Sequence, residues 1–422
     1  MSGGNPLSSV VVAGGSRPFG GGGPVRAASA GPPVQRRTTG RGLLSVGRVD
    51  FGWHPAAQAE FDRVRAQAAA WPDERPTALT RERWRRCGDA GLLGYSVPAD
   101  LGGSGRGFLD TARAVEAFGL GCPDMGLVFA SLAHLFACAM PIAEHGDGRV
   151  RERVLPLLAS GEWVGANAIT ERDAGSDVTA LRATARADGD HYVLDGVKTF
   201  VSNAPEADVF VVYASTSPEF GHLGVTGFVV ERDTPGLVVE PFEKSVLATC
   251  PVGEVRLEGC RVPAHHVLGV PGQGAAIFQS SMRWERTCLF AAYLGQAGRL
   301  LERCVAHARE RRQFGRAIGK NQAVSHAIAR LHSRVEAARL LLWRACWLLD
   351  RGERAALEVA GAKLAVSEAA VDTAAFAMRV LGGTGTRLGS GVAHDLLDAM
   401  ASTTFSGTSE MQLEQMAKEL GL

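Results

Sequence analysis

The hydrophobic periodicity changes twice along this chain of 422 residues, and these two changes constrain the fold more than any single motif does. Residues 54–160 carry apolar side chains at helical spacing, and residues 161–270 break into short alternating runs separated by Pro and Gly. Long helical patterns return over residues 274–422. This order predicts an α+β, mostly α protein with an N-terminal helical domain, a middle β-barrel or sandwich and a C-terminal four-helix bundle.

The first 48 residues differ in composition from everything that follows them. They are rich in Gly, Ser, Pro and Arg, and the first acidic residue of the chain is Asp50. Such a segment buries too little apolar surface to order itself, so residues 1–48 are predicted to be a disordered extension. An acid-free, Arg-rich leader also resembles a transit peptide, although the run Gly20–Pro24 opposes an amphipathic helix.

Individual elements can also be predicted inside these regions. The C-terminal region indicates three long helices near 274–311, 320–351 and 353–381, with shorter helices after a Gly-rich break. In the middle region, Asp195-Gly196 stands between alternating apolar residues, which is the pattern of a β-hairpin turn.

Charge and cysteine content argue against several classes of partner. The formal net charge is +1, which is unfavourable for binding nucleic acid or an anionic membrane surface. The longest apolar run, 127–140, is shorter than a bilayer-spanning helix needs. The eight cysteines form neither a CxxC pair nor a His/Cys ligand spacing, so we expect no metal site, no disulfides and a reducing, cytoplasmic location.

Glu285 is the candidate catalytic residue that the sequence marks most clearly, because it lies in a nearly charge-free helical run, 275–295. Its neighbours three and four positions away cannot pair with a carboxylate; they are Ser281, Met282, Cys288 and Leu289. Burial raises the pKa of such a carboxyl group and suits it to take a proton from carbon near neutral pH. The alternative is a surface glutamate at the rim of a buried helix.

Four other motifs are suited to cofactor binding, and each has a purely structural alternative. The run 309–316 can grip a diphosphate or cap a helix, and the Gly-rich loop 381–386 can approach a ligand or end a helix. Residues 169–177 can bond the rim of a cofactor or form an ordinary turn. In the fourth motif, residues 405–412, Ser409 and Gln412 fit a capping box at the start of a helix.

Five motifs follow one another in a specific order. They are Thr170-Glu171 with Ala174–Asp177, then Asp195–Ala204, Arg311–Gly315, Gly382-Gly383 and Gly407–Ser409. Over residues 54–422 this series resembles the acyl-CoA dehydrogenase family of flavoproteins. The resemblance implies an FAD wedged between the β domain and the helical bundle, and a homo-oligomer, either a dimer or, as is usual in the family, a homotetramer.

Individual roles follow from the resemblance by position. It implies that the flavin ring is faced by Ile169 and Thr170 and flanked by Phe200 and Ser202. It implies that the FAD of a neighbouring subunit is reached by Arg311, Gln313, Phe314 and Gln322. The diphosphate is expected to contact Arg379, Gly382 and Gly383, and Thr408 is expected near the adenosine diphosphate part. On the substrate side, Ser176 resembles a residue beside the thioester arm, and Met282, Leu289 and Ser406 are expected near the acyl group.

The family's chemistry removes two hydrogens from adjacent carbons: a carboxylate takes the proton α to a thioester carbonyl, and flavin N5 accepts the β-hydride. Many members carry this base immediately before Gly-Thr, where the present chain has Ser406. A minority, similar to isovaleryl-CoA and long-chain dehydrogenases, place it on the first long helix of the bundle before an Arg. Glu285-Arg286 matches that position.

Departures from the family pattern indicate a specialised member. Ser245–Cys250 replaces a segment that usually holds Gly, Arg and Ser, Arg172 replaces a proline, Arg379 replaces a glutamine and Leu397 replaces an arginine. The prediction is therefore an FAD-dependent α,β-dehydrogenation of an acyl thioester carried by CoA or by an acyl carrier protein, as in secondary metabolism. An electron-transferring flavoprotein is the expected acceptor of the electrons.

Two alternatives remain open from the sequence. The first is a flavin-dependent monooxygenase on the same fold, which would have little need for Glu285. The second is a non-catalytic family member that has lost its base, which Ser406 suggests.

Overall fold

The computed structural model describes residue 51 and residues 55–71 and 78–422. The predicted disordered extension, residues 1–48, lies outside the described residues.

Short helices dominate the N-terminal region. They are α1 (Pro55–Ala69), α2 (Arg81–Asp89), α3 (Phe108–Gly121), α4 (Met125–Ala133), α5 (Met140–His145) and α6 (Gly148–Ser160). Thr80 caps the start of α2, because its side chain accepts a hydrogen bond from the backbone N–H of Arg83 at 3.3 Å. Gly161 ends α6 with φ +78°, a conformation that glycine adopts at no steric cost.

Helices α4 and α5 are joined through a π-helical segment, His134–Ala139, into one stretch of 21 residues, Met125–His145. This stretch is longer than the apolar run in the sequence suggested, and its length and composition are those of a membrane-spanning helix. However, 94% of its most apolar window is buried inside the protein, as in the core helix of a globular fold. The stretch is therefore the central element of the N-terminal region.

The middle region forms an eight-stranded mixed sheet. Its strands are β1 (Gly165–Ala168), β2 (Thr184–Asp188), β3 (His191–Ser202), β4 (Val209–Ser215), β5 (Val225–Glu231), β6 (Leu237–Pro241), β7 (Val252–Pro263) and β8 (Val267–Leu268). Hydrogen bonding runs in the order β6-β7-β3-β2-β4-β5-β8, and β1 pairs with β4 in parallel. Leu237 of β6 and Val267 of β8 pack against the same core, so the sheet curves around it as a barrel does.

The predicted hairpin turn at Asp195-Gly196 is wrong. Strand β3 continues through both residues, and the turn lies between β2 and β3 instead, at Gly189 with φ +63°. Gly196 marks an irregularity in the pairing of β3 with β7, and a Cβ there would lie 2.6 Å from the side chain of Ala183. The glycine is thus required by a close backbone approach rather than by a turn.

Long helices form the C-terminal region. They are α7 (Gly274–Trp284), α8 (Phe290–Glu310), α9 (Gln322–Asp350), α10 (Ala356–Leu381), α11 (Val392–Ala401) and α12 (Ser409–Leu420), with a small hairpin of β9 (Arg312–Gln313) and β10 (Arg316–Ala317) after α8. A second π-helical segment, Glu285–Leu289, joins α7 to α8. Helices α8, α9 and α10 pack against one another, and α11 and α12 pack on α10.

The N-terminal helices are attached to the bundle through α3 and α8. Gly119 and Gly295 allow these two helices to approach closely, since a Cβ on Gly295 would lie 2.2 Å from the carbonyl oxygen of Glu116. The N-terminal helices, the sheet and the C-terminal region all contribute residues to the wall of one cavity.

Candidate active site

A cavity of about 570 Å³ lies where these three parts of the protein meet. Eight of the residues selected from the sequence line it: Ile169, Thr170, Ser176, Phe200, Ser202, Met282, Glu285 and Ser406. A larger cavity of about 730 Å³, among α1, α3, α8 and α9, contains none of the selected residues. The smaller cavity is the candidate site, because the polar side chains selected from the sequence cluster there and not in the larger one.

Glu285 stands in the wall of this cavity, at the junction between α7 and the second π-helical segment. Only 9% of the residue is exposed, and its Oε2 accepts a hydrogen bond from the Ser406 hydroxyl at 2.6 Å. Burial raises the pKa of the Glu285 carboxyl to about 7, while the Ser406 hydrogen bond and the positive charge of Arg286 act in the opposite direction. A carboxyl with this pKa can accept a proton near neutral pH.

Both π-helical segments border the cavity. One contributes Glu285 to the lining, and the other, which packs against it, contributes Ala137. The π-helix is rare and occurs mostly as single turns inside α-helices, frequently at functional sites. The second segment also changes the helical phase after Glu285. Leu289, expected beside the acyl group, is 1% exposed in the hydrophobic core and is not among the residues that line the cavity.

The loop before α12 supports Glu285 from the other side. Arg286 donates from Nε to the carbonyl oxygen of Ser406 at 2.9 Å, and Phe405 packs edge-on against Phe129 with ring centroids 4.7 Å apart. Ser406 has φ +52°, a conformation that costs a non-glycine residue about 1–3 kcal/mol. Adjacent residues of the second π-helical segment, Glu285 and Arg286, therefore both bind Ser406 and hold it in a strained conformation.

Replacement of Ser406 by alanine should shift the pH dependence of flavin reduction. The hydroxyl stabilises the ionised form of Glu285, so its loss raises the pKa of that carboxyl above about 7. A hydrogen bond to a charged group contributes about 1.5–3 kcal/mol, which corresponds to a shift of about one to two pH units toward higher pH. Rates of anaerobic flavin reduction from pH 5.5 to 9.5 measure it; an unmoved midpoint would disprove the coupling.

The sheet side of the cavity fits a flavin ring. Phe200 has φ +53°, is 69% exposed and stacks edge-on against Phe242 at 5.3 Å, so an aromatic face is left uncovered in a strained conformation. The hydroxyl-bearing residues Thr170 and Ser202 and the half-buried Ile169 line the same wall. An uncovered aromatic ring between hydroxyl groups suits a flat heterocycle whose edge carries hydrogen-bonding atoms.

A buried ion pair holds this wall in place. Lys198 Nζ lies 2.7 Å from Glu171 Oε1 and donates to the carbonyl oxygen of Ile169 at 3.1 Å. Glu171 also accepts hydrogen bonds from the backbone N–H groups of Arg182 and Ala183 at 2.7 and 3.0 Å. Although burial acts to raise the pKa of Glu171, the bonds from Lys198 and the two amides hold it below its usual value. The pair therefore fixes the Ile169–Thr170 backbone.

Several selected residues lie away from the cavity wall. Those on or near the helix ends are exposed: Arg311, Gln313, Phe314, Gln322, Arg379, Gly382 and Gly383. Phe314 is 99% exposed with φ +51°, and a Cβ on Gly382 or Gly383 would meet no atom within 4 Å. These groups are thus open to a ligand or to another subunit, as the resemblance implies, and do not serve the cavity of their own chain.

Thr408, which the resemblance assigns to the adenosine end of FAD, begins α12 and does not line the cavity. Its side chain accepts a hydrogen bond from the backbone N–H of Met411 at 3.3 Å, so Thr408 is the N-cap and the predicted capping box at Ser409 is wrong. Gln412 is buried and donates to the carbonyl oxygen of Gly407 at 3.1 Å instead of accepting from a cap N–H.

Sequence reasoning missed the apolar part of the site. Phe129, Ala133 and Ala137 come from the buried helical stretch, and Phe278 and Phe405 come from α7 and the loop before α12. Nothing in the sequence distinguishes these side chains from ordinary core residues. For Lys198 and Glu171 the sequence carried a signal only through the motifs 195–204 and 170–171, which contain the two residues but do not pair them.

Among the residues that the structure describes, no group of three or more His, Cys, Asp or Glu side chains is placed to hold a metal ion. All eight cysteines lie in this part of the chain, and each is buried and free of disulfide bonds.

Comparisons with known proteins extend this geometry. Three family models match in order: acyl-CoA dehydrogenase N-terminal domain over residues 56–162, middle domain over 166–260 and C-terminal domain over 272–421. L-prolyl-[peptidyl-carrier protein] dehydrogenase of Pseudomonas fluorescens is 54% identical over 84% of this chain and 94% of its own length. The protein of the same name from a Serratia species is 42% identical over 82% and 89%.

A solved structure described as PigA with FAD and proline superposes with a TM-score of 0.86 and 38% identity, covering 89% of this chain and all of the other. The predicted fold, cofactor and reaction class are confirmed by these matches. The chain belongs to the acyl-CoA dehydrogenase family, and it is an FAD-dependent enzyme that dehydrogenates acyl groups held as CoA or carrier-protein thioesters.

Proposed function

We propose that the substrate is an L-prolyl thioester on a carrier protein and that Glu285 removes the proton from its α-carbon. The observation that carries the proposal is the Glu285 carboxyl, which is buried in the cavity wall with a pKa near 7. The substrate class is supported by the two relatives at 54% and 42% identity, both of which are described as L-prolyl-[peptidyl-carrier protein] dehydrogenases.

The lining of the cavity near Glu285 suits a compact ring. Phe129, Phe278, Met282 and Phe405 line the same cavity as Glu285, and their apolar side chains match the methylene groups of a pyrrolidine. No basic side chain other than Arg286 is among the described residues that line the cavity. A mainly hydrocarbon acyl group is therefore favoured over one that carries negatively charged groups.

The protein residues have three tasks in the reaction. Glu285 accepts the α-proton on a carboxylate oxygen, Ser406 orients that carboxylate, and the apolar lining excludes water and so strengthens every electrostatic interaction inside the cavity. Ile169, Thr170 and Phe200 would hold FAD, whose chemistry here would be to accept a hydride from the substrate atom next to the α-carbon.

Three further features belong to the same proposal. A homo-oligomer, dimer or tetramer, is supported by the fully exposed Phe314 and by the exposed apolar side chains Leu340 and Leu341 on α9. A cytoplasmic location is supported by the eight buried, unpaired cysteines. An electron-transferring flavoprotein is proposed as the acceptor of the electrons. The rates at which the reduced enzyme is reoxidised by an electron-transferring flavoprotein and by molecular oxygen test that choice.

Anaerobic titration of the purified yellow protein tests the proposed substrate. L-Prolyl thioester on a holo carrier protein, L-prolyl pantetheine and a series of acyl-CoA thioesters are added in turn, and loss of flavin absorbance is followed. We expect bleaching by both prolyl thioesters in the absence of oxygen, which a monooxygenase would not turn over. Bleaching by acyl-CoA thioesters alone would overturn the prolyl assignment and leave the family assignment standing.

A further inference from the structure

An exposed apolar patch lies on the sheet side of the protein, in the connection between β4 and β5 and in the loop before α7. It consists of Phe220, Leu223 and Val270, which are 63%, 64% and 55% exposed. Single exposed apolar residues are common on protein surfaces, whereas a cluster of large ones frequently marks an interaction site.

The patch borders the entrance to the active-site cavity. The segment 218–224 packs against the short 3₁₀ turn Val178–Ala180 and against the start of α7. Val178 lines the cavity, and the exposed Gly175 and Ser176 line it on the same side, so the cavity opens to solvent here. Any group that enters along Ser176 toward Glu285 therefore passes beside the patch.

The backbone beneath the patch is fixed even though its side chains face solvent. The backbone N–H and the hydroxyl of Thr216 both donate to the carbonyl oxygen of Gly224, at 2.8 and 3.0 Å. The N–H of Gly272 donates to the Thr226 hydroxyl at 2.9 Å, which ties the loop before α7 to the start of β5. Because these bonds are made by the backbone and by threonines, Phe220 and Leu223 are not needed to hold the loops.

We propose that Phe220, Leu223 and Val270 form the docking surface for the carrier protein that delivers the acyl thioester. This inference rests on the proposed function, because a substrate covalently tied to a protein can enter only while that protein stands at the entrance. Burial of these three apolar side chains against a partner favours association, because it removes apolar surface from water. A surface of three such residues suits a brief, weak encounter, which a carrier that visits several enzymes requires.

Introduction of a negative charge into the exposed apolar patch tests the proposal without changing a residue that lines the cavity. Phe220→Asp and Leu223→Asp are compared with wild type using L-prolyl thioester on the holo peptidyl-carrier protein that serves the Pseudomonas fluorescens relative, and using L-prolyl pantetheine. We expect KM for the carrier-bound substrate to rise at least tenfold, with kcat and the KM for L-prolyl pantetheine unchanged. Leu420→Asp, at an exposed leucine on the last residue of α12, is the matched control and should leave both substrates unaffected.

Direct binding separates this inference from the proposed function. Fluorescence anisotropy of labelled holo carrier protein without a prolyl group should show binding to wild type and at least tenfold weaker binding to both patch variants. Equal binding, or equal loss of activity with both thioesters, would overturn the docking surface. The docking surface would also be overturned if light scattering gave the patch variants a lower molecular mass than wild type, because the patch would then be a contact with a second copy of this chain. If wild type oxidises L-prolyl pantetheine but does not bind the carrier protein, the proposed docking surface is wrong and the proposed substrate still stands.

Discussion

Glu285→Gln is expected to keep FAD bound and to reduce the rate of flavin reduction by an acyl thioester by about 10²–10⁴-fold. Glutamine preserves the shape of the side chain and can still accept the Ser406 hydrogen bond, but it cannot take a proton from carbon. The residues proposed to face the flavin lie in strand β3 and directly after strand β1, away from position 285, so absorbance of the bound cofactor should be unchanged. Stopped-flow measurement of flavin bleaching under anaerobic conditions gives the rate.

Stability provides the control for this variant. Burial raises the folded-state pKa of Glu285 to about 7 from an ordinary value of 4.5, so ionisation of this group opposes folding as pH rises between those values. Glutamine removes that penalty, and the variant should resist unfolding at pH 8 at least as well as wild type. Loss of activity in a protein that has also lost stability or FAD would not support a role as base.

A second substitution sharpens the test. The Ser406 hydroxyl lies 2.6 Å from Glu285 Oε2, so a glutamate at position 406 would place a carboxylate within reach of the same space. We expect Glu285→Gln combined with Ser406→Glu to recover part of the lost rate. Full activity of Glu285→Gln alone would disprove the proposed role and would leave the fold and the cofactor assignment intact.

Lys198→Met is expected to lower the free energy of unfolding by about 3–5 kcal/mol, because it leaves the buried Glu171 without its partner. The fully buried lysine side chain is replaced by one of similar length, so loss of charge rather than of volume is measured. Weaker FAD binding should accompany the loss, since Lys198 also holds the carbonyl oxygen of Ile169 beside the flavin wall. Urea unfolding of the apoprotein and FAD titration measure the two effects separately.

Combination with Glu171→Gln tests whether the pair is the cause. A neutral glutamine keeps an acceptor for the backbone N–H groups of Arg182 and Ala183, and it needs no positive partner. The double variant should therefore be more stable than Lys198→Met. If the double variant is the less stable of the two, the destabilisation comes from packing and the electrostatic explanation is wrong.

The order of helices and strands was predictable from the sequence because each region keeps one hydrophobic period. The three long helices predicted near 274–311, 320–351 and 353–381 correspond to α7 through α8, α9 and α10. Local turn chemistry was less reliable. Asp195-Gly196 has the composition of a tight turn, yet its glycine serves a close approach inside a continuous strand.

The polar part of the cavity was also predictable, because a charged residue in an apolar helix and hydroxyl-rich motifs stand out in a sequence. The strained backbone was not. Phe200, Phe314 and Ser406 all have positive φ, and none is a glycine, so no residue type announced these conformations. At Ser406 the conformation is held by a tertiary contact, the hydrogen bond from Arg286 to the Ser406 carbonyl oxygen.

The π-helical segments Glu285–Leu289 and His134–Ala139 have a consequence for how this enzyme can change. Each α-helical residue advances the helix by roughly 100°, so removal or insertion of one residue in either segment would turn everything on one side of it by that angle. In the segment Glu285–Leu289 such a change would turn Glu285 relative to the cavity, although every side chain around it stayed the same. New substrate preferences can arise by exchange of the side chains that line the cavity, whereas a single-residue insertion or deletion that turns Glu285 away is expected to abolish the reaction.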